Sequence, residues 1–579
     1  MPHFQEPVAV GSCSLEQLEQ RTLLNAVNII PSVEGVTAGS VYVSLETTDT
    51  ATATVDFGLT ASYGSTATTE TAQSTGSSYF QNIKLTGLAA NTQYHYRVRQ
   101  GTSTTADYTF WTAPGIDYTG SVRWAFAADS RTNTTDHNNV VAHILPYNPP
   151  MTVYGGDLPN SGTYSDWTNQ WLVANQRSLN AVSPWVNALG NHEGWNSTTV
   201  AFTQSPEGDG VGGNGYFSFD YGPAHIVVIN VQTSYAQGSA QWNWVAADLS
   251  SPATQAQPWK IVVAHYPPYT YGGSHSSDPT MQAMTTQLFE PNHVDMTLTG
   301  HNHFYQHNLV NGIHHMVIGS FGAPLVAPGN DPSYTVYSEE TYCFGIFDMT
   351  RGQLTLKTYR GLQNTLIETI TLTKDVVAPV VTVTPKATND TTPSLAGTVD
   401  DPTATISVTV GGHTYSAVNN GNGTWTLPDN TISPALTRGA YNVQVTGRDA
   451  AGNVGADATT GELTVYTVMG DANLDGEVGP EDFGLLKDNF GLDGLTNAWS
   501  LGDFNSDGEI GPEDFGILKD NFGLTEPLQT APLTGTSPIA ASASAATEPP
   551  TDATGTPSRA SWPRWTSRFP SGPEGPITA

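Results

Sequence analysis

Cysteine is nearly absent from this chain: Cys13 and Cys343 are the only two in 579 residues. One pair, with Cys13 in an N-terminal segment that reads as unstructured, excludes a disulfide framework. Export stays open, because secreted domains can rely on Ca²⁺ and sheet packing instead. Basic residues are scarce, 20 Lys plus Arg against 52 Asp plus Glu, for a net charge of −32. That sign argues against a nucleic-acid binder, which needs cations to replace phosphate counterions. It also gives no global steering of anionic substrates. Charged residues of either sign make up 12% of the chain, so Ser, Thr, Asn, Gln and Gly must supply most of the polar surface. No apolar run reaches about 18 residues, so no membrane span is expected. A proper secretory hydrophobic region is missing too, since Glu16, Glu19 and Arg21 interrupt the first 30 residues. What the chain has is 57 Gly and 38 Pro, with abundant Thr and Val, which favours strands and turns. Its 38% hydrophobic content is enough for packed cores. The length gives a prior of about four domains.

Residues 1–30 read as a leader. Residues 31–114 read as a small β-sandwich, with short alternating runs such as 41–45 and 53–57 separated by Gly and Thr turns. At 85–98 a tight turn leads into a strand whose Tyr94, Tyr96 and Val98 share one face. Residues 119–372 change character: strand-like runs end in polar residues, with helical stretches between them. Residues 375–467 return to short strands. Residues 468–524 hold an internal duplication. Residues 525–579, rich in Ala, Ser, Thr and Pro, read as a disordered tail.

Five motifs fall in order within 119–372. Asp129 follows the run 122–128. Asp157 follows 151–156. Asn191, His192 and Glu193 follow 187–190. His265 follows 260–264. His301, Asn302 and His303 follow 294–300. In an α/β sheet, residues just past carboxyl strand ends meet in one crevice. Carboxylate, amide oxygen and imidazole are ligands for Zn²⁺, Mn²⁺ or Fe. A carboxylate can bridge two ions about 3.5–4 Å apart, which clamp the attacking and leaving oxygens of a phosphoryl group and lower a bound water's pKa to roughly 7.

The order Asp, Gly-Asp, Gly-Asn-His-Glu, His, Gly-His-Asn-His resembles the calcineurin-like metallophosphoesterase family over about 250 residues. The segments 217–222, 225–230 and 241–244 match as well. Residues 85–98 look like the fibronectin-type module at the N-terminus of purple acid phosphatases, which makes those enzymes the nearest relatives by resemblance. The resemblance implies a four-layer αββα phosphoesterase sandwich and a dinuclear centre. Asp157 would bridge two ions, Asp129 and His303 would bind the first, and Asn191, His265 and His301 the second. His192 would contact phosphate and help protonate the leaving oxygen. Glu193 would orient His192. His275, in a glycine-rich loop, sits roughly where these enzymes carry another substrate-side histidine.

Two positions depart from the pattern. Purple acid phosphatases carry Tyr three residues after the bridging Asp, where this chain has Asn160. Without a tyrosinate, no Fe³⁺ charge-transfer colour is expected. The wider family often has Asp-x-His at the first motif, and here it is Asp129-Ser130-Arg131. The first ion loses a protein ligand, leaving the amide oxygen of Asn160 or water to fill the gap and Arg131 free to hold substrate phosphate. His137, His143, His307, His314 and His315 read as structural or surface residues.

A twelve-residue loop beginning at Asp471 recurs at Asp503. Asp471, Asn473, Asp475, Glu477 and Asp482, and then Asp503, Asn505, Asp507, Glu509 and Asp514, occupy positions 1, 3, 5, 7 and 12 of the EF-hand plan, with Gly476 and Gly508 at position 6. Glu477 and Glu509 count only through their backbone carbonyls. Loop plus helix, duplicated, with Asp at position 12, resembles a type I dockerin. Two Ca²⁺ ions are expected, with either a cohesin-domain partner or a calcium-stabilised cap without one. Residues 390–399 and 422–425 resemble a bacterial Ig-like module, and 15–26 resemble a short motif on exported bacterial proteins, or equally an ordinary amphipathic leader.

The expectation is therefore an exported, multi-domain protein, extracellular or at a cell surface. An α/β metallophosphoesterase sandwich is flanked by all-β Ig- and fibronectin-like sandwiches and a small α-helical calcium module. It would hydrolyse a phosphomonoester by attack of metal-bound hydroxide, in the manner of an acid phosphatase. A phosphodiesterase or nucleotidase on the same site is one alternative. A non-catalytic surface or scaffold protein is the other.

Overall fold

The computed structural model describes residues 30–47, 50–74, 78–206, 215–466, 468–496 and 498–525. Cys13 and nearly all of the expected leader and tail lie outside them.

By its contacts the chain divides into two units. The first holds a ten-stranded and a seven-stranded sheet. At the centre of the ten-stranded sheet, Val122–Ala127, Thr152–Tyr154 and Trp185–Asn187 run parallel. Cys343–Met349 and two further antiparallel strands continue it on one side. The seven-stranded sheet carries Ala224–Val228, Trp259–Val263, Met296–Thr299 and Ile313–Ile318 in parallel register.

Alternation along these strands builds the layers. Trp124, Phe126, Ile226, Val228, Ile261 and Val263 share one core with residues of both sheets. Ala125 and Ala127 belong instead to a second cluster with Val140, Val141 and Leu179, on helices Thr134–Ile144 and Ala174–Asn180. Val227 and Val262 belong to a third, with Trp242 and Met281 on helices Ala240–Leu249 and Pro279–Met284. Strands buried on both faces read as continuous apolar runs, which is why they stand out in the sequence. Helix, sheet, sheet, helix is the four-layer order expected.

The expected boundary near residue 114 is not a break in packing. Ser32–Glu34 pairs in parallel with Trp185–Asn187 through Glu34 and Trp185, and Ser40–Thr47 and Tyr79–Thr86 extend the same ten-stranded sheet. The five-stranded sheet built on Thr54–Gly58 and Gln93–Gln100 covers this extension, and Val55, Tyr96 and Val98 join the shared core.

The strands expected within 375–467 divide between the units. Six of them, from Leu395–Thr398 to Val454–Ala456, form one sheet in the first unit. Lys386–Thr388, Gly439–Tyr441 and Leu463–Val465 form a small sheet in the second. The second unit also carries helices Pro480–Asn489 and Pro512–Asn521 on a core of Tyr466, Val478, Leu486, Trp499, Phe504, Ile510 and Leu518.

Candidate metal centre

The central strands of the ten-stranded sheet deliver Asp129, Asp157 and His192 just past their carboxyl ends. Two strands of the seven-stranded sheet deliver His265 and His301 in the same way. Asp129, Asp157 and His301 hold φ of 60°, 54° and 71°, a left-handed backbone that non-glycine residues adopt at some cost. Such strain gathers where surrounding structure needs a side chain aimed in one direction. The glycines of the motifs have a steric reason as well. A Cβ on Gly190 would stand 2.2 Å from Asp157 Oδ1, and one on Gly300 would stand 2.1 Å from Asp129 Oδ2.

Asp157 is almost wholly buried. Its Oδ1 accepts from the backbone N–H of His192 (2.9 Å), whereas its Oδ2 has no hydrogen-bond donor among the described residues. That oxygen faces His265 Nε2 at 3.3 Å. His265 donates Nδ1–H to the carbonyl of Gly155 (2.8 Å), so Nε2 carries the lone pair in the neutral ring. His301 Nδ1 stands 3.2 Å from the same Nε2. Asp157, His265 and His301 thus present ligand atoms within 4.8 Å of one another.

Electrostatics follow from this crowding. Burial pushes the Asp129 carboxyl well above its usual range. Burial works the same way on Asp157, but the His265 and His192 charges and the His192 N–H outweigh it and hold that carboxyl low. Burial disfavours charge on His265, yet Asp157 and Asp129 raise it to about 9. Burial, then the His265 charge, lowers His301 to about 2. One positive charge is held between a carboxylate and two imidazoles, where a divalent ion has the chemistry to replace it. These three residues fit a metal, and Asn191, exposed directly after Gly190, is the remaining candidate of the second-ion set.

The first-ion set is arranged differently. His303 donates Nδ1–H to the carbonyl of Pro324 (2.7 Å), which leaves the lone pair on Nε2. That nitrogen is 3.6 Å from Asp129 Oδ1, which has no hydrogen-bond partner, and 3.1 Å from Arg131 Nη2. The same guanidinium lies 3.4 Å from Asp157 Oδ2 through Nε and 3.5 Å from Asn160 Oδ1 through Nη1. Asn160 therefore faces a cationic side chain.

His192 reaches the same carboxylate, with Nε2 3.7 Å from Asp157 Oδ2. Its orientation is a correction. The Asn160 carbonyl accepts His192 Nδ1–H at 2.7 Å, while the hydrogen bonds of the Glu193 carboxylate go elsewhere. The buried Glu193 carboxylate instead accepts from Leu158 N (2.9 Å), Gly190 N (3.0 Å) and Asn187 Nδ2 (3.3 Å). It ties the Asp157 loop to the Asn191 loop, because consecutive residues in a tight turn point apart. His275 is at the site: its ring stacks on His301 with centroids 3.7 Å apart.

Sequence reasoning missed Asn302, Tyr266 and Asn187. Buried Asn302 holds the His275 backbone at both its N–H (3.1 Å) and its carbonyl (2.8 Å). Tyr266 packs on His301 with ring centroids 4.5 Å apart. Asn187 accepts from Gly156 N (3.2 Å). Adjacency to the motifs was the available signal. Of the histidines read as structural or surface residues, His137 bonds to Gln176 and stacks on Trp171, and His307 pairs with Glu368 and His314.

In the second unit the two loops close on themselves. Asp482 accepts from Ala472, Asn473 and Gly479 N–H groups, and Asp514 from Phe504, Asn505 and Gly511. Gly476 and Gly508 take φ of 97° and 87°, the turn that position 6 requires. Burial, with like charge from neighbouring carboxylates, raises Asp471 and Asp503.

Residues 125–305 match the family model of calcineurin-like phosphoesterases, and 381–467 that of a bacterial Ig-like domain. The chain is 25% identical over 315 residues to a purple acid phosphatase of Glycine max, covering 47% of this chain and 67% of that protein. It is 29% identical over 227 residues to purple acid phosphatase 18 of Arabidopsis thaliana, covering 35% and 52%. The chain thus spans about half to two thirds of these relatives. In fold it is similar to a purple acid phosphatase from yellow lupin (Lupinus luteus) seeds, with TM-score 0.54, 17% identity and coverage of 60% and 74%. The chain carries a calcineurin-like phosphoesterase domain and a bacterial Ig-like domain, and these similarities support a phosphoester hydrolase.

Proposed function

We propose that this chain is an exported, metal-dependent phosphoester hydrolase that acts on phosphomonoesters in the manner of an acid phosphatase. The observation that carries the reading is the convergence of Asp157 Oδ2, His265 Nε2 and His301 Nδ1 beside Arg131 and His192. Asp157, His265 and His301, with Asn191, would hold an ion, which when bound supplies Lewis-acid polarisation of a phosphoryl oxygen and acidifies water. Arg131 offers a planar, permanently charged fork to the phosphate oxygens. His192 Nε2 faces the same space and holds a proton for the leaving oxygen, its ring fixed by the Asn160 carbonyl. His275, anchored by Asn302, covers the outer side of His301. Glu193 keeps the two loops in register.

The reading is tested by hydrolysis of p-nitrophenyl phosphate and of its bis-ester by the full chain loaded with Mn²⁺, Zn²⁺ or Fe, beside Asp157→Ala. Metal-dependent monoester turnover, lost in the variant, is expected. Preference for the diester would favour a phosphodiesterase or nucleotidase. No turnover of either by folded, loaded protein would favour a non-catalytic surface or scaffold protein.

For the second unit, the proposed reading is a dockerin-like module binding two Ca²⁺ ions, one each in the loops from Asp471 to Asp482 and Asp503 to Asp514, and docking to a cohesin-domain protein. The duplicated loops with inward carboxylates support it. The Ig-like domain suits an extracellular or cell-surface setting.

A further inference from the structure

We infer that Arg131 takes the place of the first metal ion, so that this centre holds one transition-metal ion and one guanidinium. The inference rests on the metallophosphoesterase reading for its ligands, but its test counts ions and does not depend on turnover.

Two residues assigned to the first ion by resemblance, Asp157 and His303, contact the guanidinium at 3.4 and 3.1 Å, and Asn160, the side chain left to fill the gap in that shell, does so at 3.5 Å. The contact with His303 decides the matter. Because Nδ1–H is committed to the Pro324 carbonyl, the lone pair of Nε2 is the only one the ring can offer, and it points at Arg131 Nη2. An ion on that lone pair would stand at about 2.0–2.1 Å. The arginine nitrogen is 3.1 Å away in the same direction, which leaves about 1 Å between ion and nitrogen. The two are mutually exclusive.

Arginine cannot escape the conflict by losing its proton, and it has no lone pair to donate to an ion. Nor is it a loose surface side chain: it is 15% exposed. The residue before it, Ser130, is buried and pinned by a hydrogen bond from its Oγ to the Leu158 carbonyl (2.7 Å), on the loop that also carries Asp157.

Charge agrees with the exchange. Asp129 and Asp157 together contribute up to two negative charges, against which one divalent ion and one guanidinium leave a net positive site for a phosphate dianion. A second ion would add at least two further charges in contact with a permanent cation. The guanidinium also supplies a permanent positive charge without the missing Tyr and His ligands, in a fork matched to phosphate oxygens.

The test is metal stoichiometry of the full-length protein with Mn²⁺, in millimolar excess calcium to occupy the acidic loops, with Asp157→Asn as the background. The wild type is expected to bind one Mn²⁺ per chain above that background, with the six-line electron paramagnetic resonance spectrum of an isolated ion. Arg131→Gly is expected to bind two, with the broadened spectrum of a coupled pair, and Arg131→Lys to stay at one. Two coupled ions in the wild type would overturn the inference. So would a folded Arg131→Gly that gains none, since Arg131 would then not be what excludes the ion. No Mn²⁺ above background in the wild type would instead remove the metal reading on which both proposals stand.

Discussion

Glu193→Gln separates the positioning role of this carboxylate from a role in orienting His192. The side chain is fully buried and accepts three hydrogen bonds, two through Oε1 from Leu158 N and Asn187 Nδ2, one through Oε2 from Gly190 N. Glutamine keeps the shape and one oxygen. Its better orientation retains the Leu158 and Asn187 bonds and turns an NH₂ toward the Gly190 N–H, donor against donor. Losing a hydrogen bond to a charged acceptor costs about 1.5–3 kcal/mol. Taking about 2 kcal/mol as the local cost, opening at Gly190 should rise about 30-fold. Burial, then the Asp157 charge, raises the Glu193 carboxyl to about 7, so hydrogen exchange is read at pH 8, where the ionised form predominates. The peptide carrying Gly190 should lose protection by that factor, while Leu158 keeps its acceptor and its protection. Unchanged protection at Gly190 would refute the argument, and so would equal loss at both amides, because the geometry predicts asymmetry.

His225 carries a pH dependence away from the site. Burial opposes its charge, but hydrogen bonds to Asp220 and Asp248, both 2.9 Å, override it and raise its pKa to about 9. A raised folded pKa means stability present below about 6.5 and lost as pH rises through about 9. With Asp220 partly open to solvent, the loss should be about 1–2 kcal/mol, and His225→Gln should flatten the chemical-denaturation profile across that window. Gly190→Ala should push the Asp157 carboxylate off its position, 2.2 Å being far inside contact, and weaken Mn²⁺ binding at least tenfold by titration. Chelating calcium should abolish exchange protection across 471–482 and 503–514; unchanged protection would count against calcium in those loops. Iron-loaded protein should show no visible charge-transfer band, since Asn160 stands where a tyrosinate would supply it.

The phosphoesterase sandwich was legible because most of its parallel strands are buried on both faces and so appear as largely apolar runs, several of them followed by a residue with ligand chemistry. Asp157, His265 and His301, which the fold brings within 4.8 Å of one another, were singled out by type, order and family resemblance. The division into modules was less legible at residue 114: Glu34 pairs with Trp185 across 151 positions, and nothing local announces such a pairing. Glu193 was assigned to the wrong neighbour for a related reason. Its partners are backbone N–H groups, which every residue has and no motif records.

By itself, then, the order of side-chain types determined the family resemblance and the expectation of metal- and calcium-binding chemistry, because ligand identity and strand periodicity are properties of the chain. Tertiary structure alone decided where Arg131 goes. Its partners His303 and Asn160 lie 172 and 29 residues away, and a long side chain's reach depends on which distant groups the fold sets around it. The family pattern predicts a first-ion shell short of one ligand. In the folded chain the guanidinium of Arg131 lies against His303 Nε2 and Asp157 Oδ2, two groups that pattern gives to the ion.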